Sequence, residues 1–515
     1  MSKKTLAKAA VIIMVVSLIS RATGFLRDSL NGGAFGATDT YGAYLLSLTV
    51  PNILFGIFGL AITTTFIPIL SETYKENGKE KMFEFANSVM NILMIVSLIL
   101  CFIGWIFTPE IVGVLTSASK DKAHNINLVI YLTKISMINI LFLGLTSGYT
   151  AILQALDDFT APALVGIVAN IPVILYVLMG HKYGIVGLTV ITMVGNGLQI
   201  LTQIPWLLRN KYKYRFKINL KDPKIKKMFL LIAPIIIGTG VSQINVAIQN
   251  SLAYGLPEGS LVALDFANKL NQLIYFTFAS AIVTVIFPSL SREGSSKGYD
   301  TFKTHITNAV NNINLVTIPA CVGLLILRIP IISVLFMHGA FDERGVKMTS
   351  VALFYLVSGI IFWGVRDVFN RAFYAIQDTK TPMINGAVGV IVSAICSLFL
   401  VKLMGIGGLT LATTISALVS CILLVIDLKR KIGSVNGMEM FVTGSKIIAA
   451  SGVMGLVIYF INDYLKVFLT GTKGQLTIII LCAIVGVLVY VIMLLIFRVK
   501  ELMTIFNVIK SRIKG

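Results

Sequence analysis

The chain has 515 residues, of which 56% are hydrophobic and 13% charged, about half the charged share of an ordinary soluble domain. That composition excludes a water-soluble globular protein and points to an all-α, polytopic membrane protein. A net charge of +20 would suit a nucleic-acid partner, but the Lys and Arg residues cluster between apolar runs, as membrane topology requires, so no nucleic-acid partner is expected.

Fourteen apolar runs follow one another, each long enough, at about 1.5 Å per residue, to cross a hydrocarbon core of about 30 Å. Helices are predicted over 6–28, 40–70, 83–108, 126–156, 162–181 and 184–208, then 228–255, 260–290, 303–327, 346–377, 382–403 and 406–428, and finally 442–465 and 474–498. The first run follows Lys3, Lys4 and Lys8 and imitates a secretory signal. It continues into Arg21 without a small-residue cleavage site and is read as a retained helix. The piece 329–340 is expected to be re-entrant or interfacial.

Basic clusters follow the even-numbered spans: Lys75, Lys79 and Lys81 after the second, and the run RNKYKYRFKINLKDPKIKK at 209–227 after the sixth. Arg292, Lys297 and Lys303 follow the eighth, Lys429, Arg430 and Lys431 the twelfth, and Arg498, Lys500, Lys510, Arg512 and Lys514 the fourteenth. The loops 29–39 and 256–259 hold no Lys or Arg. The positive-inside rule then puts both termini and the long basic loop in the cytoplasm, with anionic membrane lipids as their partners.

Enzyme chemistry finds little support. The five cysteines (Cys101, Cys321, Cys396, Cys421, Cys482) lie in apolar spans without metal or redox spacing. The four histidines (His124, His181, His305, His338) sit near span ends or in loops with no partner motif. No Gly-rich phosphate loop ending in Lys-Ser/Thr occurs, so neither ATP hydrolysis nor a cofactor is expected.

The sequence repeats itself. TTTFIPILSE at 63–72 corresponds to TVIFPSLSRE at 284–293, and YTAILQALDDFTAP at 149–162 to NRAFYAIQDTKTP at 370–382, both at an offset of 220. YGIVGLT at 183–189 returns as MGIGGLT at 404–410, offset 221. Each repeat holds six spans, so both halves have the same membrane orientation, as parallel repeats do. The expected organisation is an N-lobe at 1–208, a basic linker at 209–227, a C-lobe at 228–431, and spans thirteen and fourteen with a basic tail at 432–515. Two similar bundles of this kind suit alternating access.

The polar residues break the symmetry. ISRATGFLRDSL at 19–30 lies over VSQINVAIQNSL at 241–252, so Arg21, Arg27 and Asp28 face Gln243, Gln249 and Asn250. Arg21 and Asp28 share a helix face, while Arg27 projects about 100° from Asp28. An intramembrane Arg costs about 2.5–3.5 kcal/mol on insertion scales unless something meets it. Either an arginine pairs with Asp28 or snorkels to the interface, or the group faces a hydrated substrate cavity, which is the reading adopted. Lys269 joins it from span eight, with Asp265 at i, i+4. Asp39 is either a site residue or a helix N-terminal acid. Asp367 and Arg371 form an i, i+4 structural pair or a gate, and Lys134 is a weaker cavity candidate. More Arg and Lys than acids, and a guanidinium fork suited to phosphate oxygens, favour an anionic head group such as a diphosphate.

The motifs SRATGFLRD (20–28), FGATDTYGAY (35–44), VPNILFGIF (50–58), FIPILSE (66–72), FPSLS (287–291) and RAFYAIQDTKTP (371–382) give the chain a resemblance, over essentially its whole length, to the lipid II flippase family (MurJ, also called MviN). That family lies within the multidrug/oligosaccharidyl-lipid/polysaccharide (MOP) exporter superfamily. The resemblance implies two MATE-like lobes and transport of undecaprenyl-diphosphate-linked disaccharide-pentapeptide to the external leaflet of the bacterial cytoplasmic membrane, for cell-wall synthesis and cell shape. It also implies functional charges at Arg21, Arg27, Asp28 and Asp39, and a groove for the lipid tail at spans thirteen and fourteen.

Three departures stand out. Many relatives carry an arginine shortly after the Pro-Asn of span two, where this chain has Pro51-Asn52 followed by ILFGIF. Lys269 replaces an arginine in span eight, and span 382–403 lacks the acid of a sodium site proposed for some relatives. Another polyprenyl-linked glycan as cargo, a cation-coupled exporter, and coupling to Na⁺, H⁺ or membrane potential therefore stay open. The chain is expected to act as a monomer.

Overall fold

The computed structural model describes residues 3–117, 123–279, 282–283, 290 and 299–503, and among them every regular element is helical. In a bilayer the backbone must satisfy its own hydrogen bonds, which a helix does within one segment. The elements are α1 (Lys3–Phe35), α2 (Asp39–Ile106), α3 (Thr108–Leu115), α4 (Ala123–Ser136), α5 (Asn139–Ala155), α6 (Thr160–Leu178), α7 (Gly184–Arg209) and α8 (Pro223–Gly255). There follow α9 (Ser260–Ile274), continued by a π-helical turn at Tyr275–Ala279, then α10 (Asp300–Phe336), α11 (Glu343–Val357), α12 (Gly359–Ala375), α13 (Lys380–Met404), α14 (Ile406–Ile432), α15 (Gly437–Phe468) and α16 (Gly471–Ile496).

These helices fall where the fourteen runs were predicted. Among the described residues ten are long and apolar enough to cross a membrane, or eleven if the bent halves of α8 form one span. That count takes α2 once, yet its 68 residues would run about 100 Å if straight. It is broken at Gly78, where φ 79° and ψ 178° define a backbone region open essentially to glycine alone. The two arms are spans two and three. Side chains left exposed, such as Phe399, Leu403, Phe460 and Val487, are apolar, as a lipid-facing surface requires.

One expectation is corrected. The piece 329–340 is not a separate re-entrant or interfacial segment, because its first turns continue α10 through Pro330 as far as Phe336. Arg328, which interrupts the apolar pattern, is met from α11 by Ser350 Oγ at 3.0 Å and by the Phe354 ring at 5.1 Å. With its charge satisfied locally, the helix has no reason to stop.

The duplication reaches backbone detail. Asp157 and Gln377 both have φ 59°, and Asp158 N and Asp378 N donate to the Leu153 and Phe373 carbonyls, each at 2.9 Å. Asp158 Oδ1 accepts from Thr160 N at 3.3 Å, and Asp378 Oδ1 from Lys380 N at 3.1 Å. Asn210 at the end of α7 reaches Asp158 Oδ2 at 3.4 Å. Lys431 at the end of α14, 221 residues later, binds Asp378. Of the paired motifs, 284–289 and 291–293 lie outside the described residues, as do Arg292, Lys297, Lys510, Arg512 and Lys514.

Two compact units emerge, Met1–Leu261 with His338–Phe341, and Val262–Met337 with Asp342–Gly515. In the first, α2 packs on α4, α5 and α8, and α6 on α1 and α7. Its core gathers around the α2 elbow, where Phe66, Leu70, Met82 and Phe85 meet Ile152 of α5 and Leu207 of α7. In the second unit, Phe302, Ile306 and Ile313 of α10 pack on Phe369 and Phe373 of α12 and Leu428 of α14. Farther along α10, Leu315, Ile318 and Leu327 pack on Ile447 and Met454 of α15 and Ile478 and Leu494 of α16.

Candidate functional site

The charged motif is built by a close approach of α6 to α1. A Cβ added at Gly166 would lie 2.2 Å from Ser20 Oγ, so a larger residue would force the serine hydroxyl to turn away. Four residues on, and therefore on the same face, Asn170 reaches across. Its Nδ2 donates to Thr23 Oγ1 at 3.2 Å, and its Oδ1 accepts from Arg27 Nη1 at 2.9 Å. The Thr23 hydroxyl in turn donates to the Ser20 carbonyl at 2.9 Å.

Arg27 also donates from Nε and Nη2 to Asp28 Oδ1, at 3.0 and 2.8 Å. The Arg27 side chain is 31% exposed, whereas that of Asp28 is buried. The expected 100° separation at Cβ is real, but the long side chain folds back across it. Arg27 thus pairs with Asp28 and keeps two of its five N–H donors outside those bonds. A fixed guanidinium with spare, partly exposed donors is an anion-binding group. Arg21 is exposed two turns earlier on α1. In the neutral copy, Asn250, the counterpart of Asp28, donates instead to Thr49 Oγ1 at 3.0 Å.

Asp39 is the first residue of α2, whose N-cap is Thr38; the Thr38 hydroxyl accepts from Tyr41 N at 3.3 Å. A carboxylate there faces the positive end of the helix dipole. Asp39 N donates to Glu258 Oε1 at 3.4 Å. Lys134 lies with its Nζ 5.0 Å from the centre of the exposed Trp105 ring, a cation–π arrangement.

The remaining candidates belong to the second unit. Lys269 pairs with Asp265 at 2.6 Å within α9. Asp367 accepts a hydrogen bond from the Tyr275 hydroxyl and lies 3.7 Å from Arg366 Nη2; Arg371 is half-buried one turn along α12. Tyr275 opens the π-helical turn, an irregularity frequent at functional sites. Sequence reasoning missed Asn170, Tyr275 and Arg366. For Asn170 the signal was there, an amide in the apolar run VANIPV. Also in this unit, an apolar groove of about 490 Å³ runs between α10, α15 and α16, lined by Leu315, Pro319, Gly323, Met454, Gly486 and Val487. Among the described residues no group of three or more His, Cys, Asp or Glu is placed to hold a metal.

Residues 33–478 match the sequence model of the family described as Lipid II flippase MurJ. The chain belongs to that family. Membership makes it a multi-span membrane transporter of a bacterial flippase family and not an enzyme. It is 27% identical over 505 residues, 97% of each chain, to the probable lipid II flippase MurJ of Thermotoga maritima. To that of Vibrio cholerae it is 28% identical over 432 residues, 82% of each. A solved lipid II flippase MurJ in an inward closed conformation superposes with TM-score 0.80 at 26% identity, covering 95% of this chain and 99% of that one. A multidrug resistance MATE family transporter in an inward-facing conformation matches at TM-score 0.67 and 16% identity, over 83% of this chain and 99% of its own. That likeness speaks for the fold alone.

Proposed function

We propose that this chain flips lipid II, the undecaprenyl-diphosphate-linked peptidoglycan precursor, from the cytoplasmic to the external leaflet by alternating access. Both termini and the basic loop then face the cytoplasm. The observation that carries the reading is Arg27: a guanidinium on α1, fixed by Asp28 and Asn170, with donors left over. Those donors bind the diphosphate, Arg21 adds charge, and Asp28 orients Arg27. The polyprenyl tail lies along the groove of α10, α15 and α16, whose lining is almost wholly apolar. Asp39 completes the N-terminal end of α2, and Asp367 with Arg371 serves as a gate pair.

The test is functional replacement. Cells depleted of their own lipid II flippase should grow when this chain is expressed, and the purified protein in lipid nanodiscs should retain added lipid II in native mass spectra. A second reading, a flippase for another polyprenyl-diphosphate glycan, is favoured by Lys269, which keeps charge but lacks the arginine fork. Competition decides between them: if a different polyprenyl-diphosphate glycan displaces lipid II at lower concentration than lipid II itself, the second reading holds.

A further inference from the structure

The first half of the basic loop is held in place rather than trailing free. Residues 212–219 run without regular structure along the second arm of α2, clamped by Asn87 and Asn91, about one helical turn apart. Asn87 Oδ1 accepts from the Tyr212 hydroxyl at 2.8 Å and from Arg215 N at 3.1 Å, while its Nδ2 donates to the Lys213 carbonyl at 3.1 Å. Asn91 Oδ1 accepts from the Tyr214 hydroxyl at 2.5 Å, and its Nδ2 donates to the carbonyls of Arg215 and Lys217 at 2.9 and 3.1 Å. Both asparagines are buried.

Beyond Tyr212, and apart from Tyr214, whose hydroxyl meets Asn91, the clamped strap turns its side chains outward. Basic Lys213, Arg215, Lys217 and Lys221 alternate with Tyr214, Phe216, Ile218 and Leu220. Phe216 is 69% and Leu220 66% exposed. Beside the strap a polar cleft of about 300 Å³ is lined by Lys81, Lys217 and Lys224 with Thr73, Asn77 and Ser88. Its two acids are already engaged, Glu84 by Lys81 at 2.8 Å and Asp222 by Lys224 N at 2.9 Å. Apolar side chains fixed outward among cations suit the boundary between phosphate headgroups and acyl chains.

We propose that the strap 213–221 is a docking surface for an anionic phospholipid bilayer, with Phe216 and Leu220 inserted and a lipid phosphate held at the Lys217 side of the cleft. This goes beyond the flippase reading and does not depend on its cargo. The shared chemistry is phosphate, so the experiment separates lipid from free ion. Full-length protein is placed in nanodiscs of phosphatidylcholine alone, or with phosphatidylglycerol, and hydrogen exchange of the strap amides is followed by mass spectrometry. Exchange should slow about tenfold in the anionic discs, and inorganic phosphate added to the phosphatidylcholine discs should not reproduce this.

Two variants divide the contributions. Lys213→Gln/Arg215→Gln/Lys217→Gln should abolish the difference between bilayers and reduce phosphatidylglycerol adducts in native mass spectra. Phe216→Ser/Leu220→Ser should keep the adducts and lose most of the protection. Both leave the Asn87 and Asn91 clamp untouched, since all five side chains point away from it. Equal exchange in the two bilayers, or slowing by free phosphate alone, overturns the proposal.

Discussion

Arg27 illustrates how a guanidinium is fixed between two apolar helices. The bond that Arg27 donates to Asn170 and the two it donates to Asp28 hold the guanidinium plane, so binding an anion costs little further side-chain ordering. Arg27→Lys keeps the charge but cannot hold Asp28 and Asn170 while presenting two more donors. A lost charge-assisted hydrogen bond is worth about 1.5–3 kcal/mol, so undecaprenyl diphosphate should bind about tenfold to a hundredfold more weakly, read by titration in nanodiscs. Undiminished binding by the lysine variant would remove Arg27 from the site. Arg27→Ala is the poorer probe, because it also removes the cation beside a buried carboxylate.

At the interhelical turn, Asp378 gives a prediction that concerns stability alone. Burial by itself would raise its carboxyl, but hydrogen bonds from Lys431 and Thr381 outweigh that and hold it down to about 2. A depressed folded-state value means that the ionised group stabilises the fold at neutral pH. That contribution is complete above the unfolded value of about 3.9 and disappears as the pH falls through about 2. Thermal unfolding of the detergent-purified protein should therefore weaken between about pH 4 and pH 2 by an increment absent from Asp378→Asn.

Among the elements, the turns before α6 and α13 show what the duplication preserves. Asp157 and Gln377 share φ 59°, a left-handed conformation that Asp tolerates better than Gln, because a short polar side chain bonds locally. Gln377→Gly should therefore raise stability by up to about 1 kcal/mol, with strain relief exceeding the entropy of the added glycine. Asp157→Gly should change it little. Differential scanning of the two variants checks the contrast, and an equal gain at both sites would contradict it. By the same reasoning Gly78→Ala should destabilise the α2 elbow by about 1–3 kcal/mol through backbone strain alone, since a Cβ there meets nothing within 4 Å.

The same elements show what a sequence discloses. The paired Pro, Asp and Gly residues made the repeats and the turns between spans readable, because those turns demand particular residue types at fixed spacing. The partners of the charges were hidden. Asn170 reaches Arg27 where α6 packs on α1 beside Gly166 and Ser20, a fact of helix packing and not of periodicity. Tyr275 meets Asp367 from a π-helical turn, whose rotation no 3.6-residue pattern anticipates. The Arg27–Asp28 pair stayed one of two open readings, because helix geometry fixes Cβ directions, whereas a guanidinium moves several ångströms from its Cβ.

For the molecule as a whole, the two compact units carry different features. The first unit carries the Arg27 group, and the second carries the groove that α15 and α16 close against α10. If head and tail of one cargo use these separate features, blocking the groove should penalise long-chain cargo selectively. Gly323 is the position for this test, because it lines the groove and a Cβ added there meets nothing within 4 Å. Gly323→Leu should fold at least as well as the native chain, since leucine replaces glycine inside a helix. Each methylene kept from apolar surface forfeits about 0.8 kcal/mol, so two displaced methylenes already cost about tenfold in affinity for undecaprenyl-linked lipid II. A short-chain analogue with the same diphosphate and glycan never reaches the filled segment, and its affinity should be unchanged. Equal losses for long and short chains would mean that the substitution acts on the head site, and the groove would then have no part in holding the tail.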